Sequence, residues 1–208
     1  MLEFIKQGGP TIYPLLACSV IGLAVVLERL FYFFRIKNDN FRMFRKIEMM
    51  IAEGEITRAA HELKSERGPV AKIIAAGLAH YGQDRRVIEE HIRVAGEHEV
   101  HKLEKNLAIL DIIASISPLL GLLGTVLGII DSFNILSTTA GIAAPAQLSS
   151  GIAAALISTA VGLIIAIPAM LFYSYFVSIV DKNTKEMNKW SVELIDLLSY
   201  RGEKDVQI

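Results

Sequence analysis

Three stretches of the chain carry no charged side chain: 7–27, 112–130 and 132–180. About 20 apolar residues cross a bilayer as a helix, so these runs predict transmembrane helices over 11–34, 112–136 and 150–180. Residues 137–149 then form a loop between the last two. The polar stretch between the first two spans is helical by its spacing. Phe41, Phe44, Ile47 and Ile51 fall on one face. Gly54 ends that helix, 56–64 starts another, and Pro69 suits the first turn of a third that ends near Gly82. Asp84 is an N-cap residue for the next helix. From there Ile88, Ile92, Gly96, Val100, Leu103, Leu107 and Leu110 run on into the second span. The pattern predicts one continuous helix over 84–136, roughly 80 Å long at 1.5 Å per residue. Beyond Val180 the third helix turns amphipathic, with Met187, Trp190, Leu194, Leu197 and Leu198 on one stripe. That stripe can pack on the 84–108 helix or on a neighbouring subunit. Residues 1–10, with Leu2, Phe4 and Ile5 before Gly8–Gly9–Pro10, read as an outer interfacial segment. The end of the chain from Gly202 reads as a loose tail. The expected fold is an all-α membrane protein. It has three transmembrane helices, two of them extended far into the cytoplasm, a helical cytoplasmic domain over 35–111, and a cytoplasmic amphipathic helix and tail over 181–208.

Composition and charge sharpen this picture. Of 208 residues 52 % are hydrophobic, and the mean hydropathy is +0.44; the apolar residues are clustered as spans require. Fourteen Lys and Arg lie in 35–108 and five in 181–208, against Lys6 alone before the first span and none in 137–149. The positive-inside rule places the N-terminus and the 137–149 loop on the periplasmic side and the C-terminus in the cytoplasm. Acidic residues are interleaved with the basic ones throughout, which argues against a nucleic-acid surface. Glu28–Arg29 marks the inner interface as an ion pair, and Phe31, Tyr32, Phe33 and Phe34 follow as an aromatic anchor. The first apolar run lacks a basic leader and is long enough to span, so it reads as a span and not a cleavable signal. Cys18, alone in that span, reads as a small apolar filler.

The apolar spans are not plain lipid-facing helices. Gly121, Gly124 and Gly128 share one face of the second span. A face without side chains lets another helix approach backbone to backbone. Gly151, Ala155, Ser158, Thr159, Gly162 and Ala166 repeat the device in the third. Ser117 and Thr125 add hydroxyls to the first of these faces, Ser158 and Thr159 to the second. Counted from the outer helix ends, Thr125 and Thr159 both lie roughly 14–18 Å deep, near the midplane. Two hydroxyls at one depth point to a hydrophilic path. Pro118 and Pro168 free the carbonyls of Ala114 and Ile164. In lipid such carbonyls need protein or water, so both kinks should face the bundle or a wet cavity; a packing kink without a transport role is the other reading. Asp131 continues the 121–124–128 spacing and is expected on the bundle side. An acid within a membrane marks function by default. A hydrated residue at the helix end is the alternative, and the sequence leaves both open.

No metal site or cofactor is expected. His91, His98 and His101 share a helix with Glu97 but lack a closed zinc-ligand pattern, so they read as a solvated face. No nucleophile with its base, phosphate loop or metalloprotease motif is present, which argues against an enzyme.

The motif from Ser117 to Gly128, SPLLGLLGTVLG with Phe133 following, resembles the second-span motif of the MotA/TolQ/ExbB proton-channel family. Residues 151–162, GIAAALISTAVG with Pro168, resemble its third-span motif. Glu28–Arg29 and Pro69 through Gly77–Leu78 also fit, and three spans with a large first cytoplasmic loop resemble the ExbB/TolQ branch. The resemblance implies a pentamer in the bacterial inner membrane with an ExbD- or TolR-like single-span dimer in its pore. The partner's aspartate would carry the proton, facing Thr125 and Thr159. Ion flow would turn pentamer against dimer, and a TonB- or TolA-like protein would pass force to the outer membrane. That branch commonly has a glutamate where this chain has Ala154; Asp131, at a similar depth, is the expected substitute. A passive membrane scaffold for a single-span partner, and a sodium-driven version of the same motor, are the alternatives.

Overall fold

The computed structural model describes residues 9–36, 40–138 and 145–205. The interfacial segment expected before Gly9, residues 139–144 of the expected loop and the last three residues of the tail lie outside the described residues. Seven helices follow in order among the described residues, with no strand: α1 Ile12–Arg35, α2 Asn40–Ala52, α3 Ile56–Leu63, α4 Pro69–Leu78, α5 Arg85–Glu104, α6 Leu107–Thr138 and α7 Pro145–Asp205. Three stretches are long and apolar enough to cross a membrane: Ile12–Arg35, the apolar part of Arg85–Leu136, and that of Ser149–Ser199. The chain divides into two compact units, residues 1–30 with 106–176, and residues 31–105 with 177–208.

In the first unit α1 and α6 run antiparallel. The Asn106 amide donates to Glu28 Oε2 at 3.3 Å, Gly22 faces the Ile113 side chain, and Gly124 faces Thr11. The stretches 11–28 and 106–124 that these contacts bracket each measure roughly 26 Å, so the two helices stay in register. The α1 helix therefore starts level with the middle of α6. Leu15 and Val26 of α1, Leu110 and Ile113 of α6, and Ala155, Ala166 and Phe176 of α7 form the core. Outside it stand Leu119, Phe133, Leu156, Ile164 and Leu171. Helices apolar on both inner and outer faces suit a lipid environment. Arg29 is buried, and its Nε and Nη2 reach Glu28 at 2.6 and 2.5 Å. This two-pronged pair lets a guanidinium sit out of water.

The second unit packs α2–α5 with the polar end of α7. Phe44, Ile47 and Ile51 are buried as their spacing predicts, with Met50 beside them. Phe41 departs from that face: it is 59 % exposed, lies beside Trp190 and carries Arg45 over its ring. The Trp190 indole N–H donates to Glu186 at 3.1 Å, and its ring lies 4.4 Å from that of Phe44. The stripe Met187, Trp190, Leu194 and Leu198 is buried against its own chain. Leu194 and Ile92 fill the space above Gly77. His91 stacks on His80, with ring centroids 3.5 Å apart. Local punctuation follows the sequence: Gly54 has φ +84 and Gly82 has φ +81, Pro69 opens α4, and the Asp84 carboxylate accepts from the Arg86 N–H at 2.8 Å.

Two further expectations fail here. The continuous helix over 84–136 is broken: α5 stops at Glu104, and Asn106 takes φ +63 before α6 starts. Asn enters the left-handed region more readily than other side chains with a Cβ. The apolar period runs across the break because each helix keeps its own buried side. The stripe on α5 also differs. Glu99 is buried where Val100 was expected, held by Lys72 at 3.0 Å and Lys102 at 2.7 Å.

Candidate functional site

The site is the seam between α6 and α7, which run antiparallel. A Cβ built on Gly121 would lie 3.0 Å from the Ser158 carbonyl oxygen and 3.0 Å from Thr159 Cα. One on Gly128 would lie 2.9 Å from Ala155 Cβ, and one on Gly162 would lie 2.6 Å from the Ser117 carbonyl oxygen. The backbones thus touch where no side chain stands, and Gly121, Gly128 and Gly162 have no room for one. At Gly124 the missing side chain makes room for other side chains: a Cβ there would lie 2.5 Å from Thr11 Oγ1 and from Ser158 Cβ.

Hydroxyls enter the seam at three levels. At the middle level Thr125 and Thr159, both half-buried, bond to one another through their Oγ1 atoms. Thr125 Oγ1 also lies 3.2 Å from the Ala155 carbonyl and 3.3 Å from that of Gly121. Thr159 Oγ1 reaches the same Gly121 carbonyl at 3.1 Å. Each hydroxyl has one proton to donate and two lone pairs. Two protons are therefore shared among more acceptors, and the pair can trade a partner for an approaching carboxylate or water. Behind it, Ser158 is fully buried and bonds Thr11 Oγ1 at 2.8 Å. Ser158 thus turns to α1 and not to Thr125. Thr11 was missed in the sequence; no periodicity assigns a partner to a residue at a helix start.

At the outer level the structure corrects the placement of Asp131. Asp131 is exposed, and Ser132 occupies the seam at 2 % exposure. Ser132 donates to the Gly128 carbonyl at 2.8 Å and sits against Gly151. The step from Gly128 to Ser132 is four residues and stays on the face, whereas Asp131 rotates off it. At the inner level Ser117 is fully buried and its hydroxyl has no partner. The prolines part ways. Pro118 is half-buried beside Ser117, but Pro168 is exposed. Pro168 edges a cavity of about 210 Å³ lined by Cys18, Gly22, Ile113 and Phe172. The two kinks, expected to face the bundle or a wet cavity, thus differ: Pro118 is half-buried and Pro168 lies exposed at the edge of a cavity. The side chain of Ile164, whose carbonyl Pro168 frees, is 69 % exposed.

Known proteins resemble this chain along most of its length. The profile of the MotA/TolQ/ExbB proton channel family matches residues 65–189. A biopolymer transport protein ExbB homolog of Methanothermobacter thermautotrophicus is 29 % identical over 99 % of this chain and 75 % of its own length. Biopolymer transport protein exbB1 of Vibrio cholerae is 31 % identical over 79 % of this chain and 74 % of its own. The Tol-Pal system protein TolQ of Pseudomonas aeruginosa is 48 % identical over 41 % of this chain and 36 % of its own.

Proposed function

The chain belongs to the MotA/TolQ/ExbB proton channel family, and from that premise we propose that it is the channel-forming subunit of an inner-membrane motor, not an enzyme. The motor converts the ion-motive force into mechanical work, for import of the TonB-dependent kind or for envelope maintenance of the Tol-Pal kind. The observation that carries this reading is the Thr125–Thr159 hydroxyl pair, set across two helices that approach closely enough to leave only a narrow polar strip. The strip continues through Ser132 outward and Ser117 inward.

Five copies surround a single-span dimer like ExbD or TolR, and a TonB- or TolA-like protein carries the force outward. The N-terminus lies on the periplasmic side and the C-terminus in the cytoplasm, following the basic residues of 35–108 and 181–208. Charge crossing a membrane potential is worth about 2.3 kcal/mol per charge per 100 mV. The run 112–130 holds no acid to carry that charge, so the proton carrier belongs to the partner, and pentamers alone should leak little. Asp131 is exposed and turned off the seam, so its expected part in place of a glutamate at position 154 finds no support there, and transport in Asp131→Asn should be unchanged.

The decisive experiment measures ion flux in vesicles holding the chain and its partner. Losing one hydrogen bond of about 1.5 kcal/mol slows a step about tenfold, so Thr125→Val and Thr159→Val should each lower flux by about that factor with assembly intact. A second reading, a passive scaffold, is favoured by the Thr159 hydroxyl's bond to the Gly121 carbonyl within its own chain. Full flux in both valine variants would establish it. Replacing the proton gradient by a sodium gradient separates the sodium-driven version.

A further inference from the structure

The hydroxyls of Ser132, Thr125 and Ser117 stand on one face of α6, each two turns from the next, about 10–12 Å apart. Two of them are accounted for: Ser132 donates to Gly128 and Thr125 bonds Thr159. Ser117 is not. Its oxygen is inaccessible, its side chain is 0 % exposed, and it makes no hydrogen bond. A buried polar group without a partner costs about 1–3 kcal/mol. Ser and Thr inside helices commonly bond back to the preceding turn, as Ser191 and Ser199 of this chain do at 2.8 Å. Ser117 does not.

A second group adjoins it that lacks its regular helical partner, for an independent reason. Pro118 has no N–H, so the carbonyl of Ala114 loses its helical donor. The Ser117 hydroxyl, which has no partner, and the Ala114 carbonyl, which lacks its regular helical donor, thus lie one turn apart on the same helix. The opposite wall at this level is Gly162, where a Cβ would lie 2.6 Å from the Ser117 carbonyl oxygen. Gly162 itself offers no side chain to supply the missing partner, and the hydroxyl finds none elsewhere among the described residues. A group that donates and accepts at once satisfies both, and a buried water with two to four polar partners is the ordinary solution.

We propose that Ser117 and the Ala114 carbonyl hold a buried water molecule in the α6–α7 seam, two turns inward of the threonine pair. Resting on the transport reading above, this water is the next polar station on the inner half of the ion path. Pro118 then serves to present a carbonyl as well as to bend the helix.

The test is water-edited solid-state NMR of the full chain in lipid bilayers, reading magnetisation transfer from water to the 114–118 segment. Transfer should be seen at Ser117 in the unaltered chain and fall to the level of Leu110 in Ser117→Ala. Pro118→Ala, which restores the donor to Ala114, should weaken it. Thermal unfolding provides the second reading. Removing a hydroxyl that truly lacks a partner should raise the midpoint; removing one that holds a water should leave it level or lower it. Absent transfer at Ser117, or a raised midpoint in Ser117→Ala, overturns the proposal. Ion flux tells its failure from that of the transport reading. If Thr125→Val lowers flux about tenfold and Ser117→Ala leaves it untouched, the inner station is wrong and the path stands. If water transfer is present while neither variant alters flux, the water is there and the path is wrong.

Discussion

Two glycines, Gly162 in the apolar bundle and Gly77 in the polar unit, show how differently the two parts of this chain are packed. A side chain on Gly162 would meet the Ser117 carbonyl oxygen and the Gly121 Cα, which are backbone atoms of a neighbouring helix. A side chain on Gly77 would meet Leu194 Cδ2 at 2.7 Å and Ile92 Cδ1 at 2.8 Å, the tips of two flexible side chains. The first contact yields only if a helix moves; the second yields if a methyl group turns. Within lipid there is little hydrophobic gain from pairing two helices, so close backbone approach and buried hydroxyls carry the association. In the polar unit Trp190, Leu194, Ile92 and Phe44 leave water on folding, and burial of large side chains carries it.

The largest expected effect follows from this contrast. Gly162→Ala should cost about 1–3 kcal/mol through overpacking, read as a lower thermal midpoint in detergent together with lost flux. Next, because its effect is confined to stability, comes Glu99→Ala. It removes the shared partner of Lys72 and Lys102, and hydrogen bonds to charged groups are worth about 1.5–3 kcal/mol. The loss should appear in thermal unfolding and leave the seam unaltered. Gly77→Ala should be close to neutral. Its steric cost is offset by the better helix propensity of alanine, about 1 kcal/mol. A Gly77→Ala as damaging as Gly162→Ala would erase the distinction between the two kinds of contact.

The smallest effect is electrostatic and confined to the polar unit. Hydrogen bonding to Lys46 lowers the Glu62 carboxyl, and hydrogen bonding to Arg93 lowers that of Glu90. Arg93 is raised in turn by its hydrogen bond to Glu90, with Glu97 adding to it. A carboxyl lowered in the folded state stabilises above its unfolded value, about 4.3. That contribution fades as pH falls through the lowered value. Acid titration of Lys46→Ala should therefore show a shallower loss of stability below pH 4.3 than the unaltered chain. Because these pairs are exposed, salt should shrink the difference.

Much of this was legible because it is local. Glycine spacing located the α6–α7 seam, and the charge-free runs located the spans, since both follow from helical period and bilayer thickness alone. Asp84, Gly54 and Pro69 act within a single turn. The break at Asn106 was hidden because the apolar period continues through it. The replacement of Asp131 by Ser132 turned on one residue of rotation, which spacings of three and four do not resolve.

By itself the sequence determined an all-α chain with three spans and two small-residue faces carrying hydroxyls, because period and composition act over a few turns. Only the tertiary structure decided that Thr125 meets Thr159, that Thr11 reaches Ser158, that Ser117 is buried without a partner, and that Glu99 lies between two lysines. Those pairings join residues far apart in the chain, and they depend on the axial offset of one helix against another, which no single helix encodes.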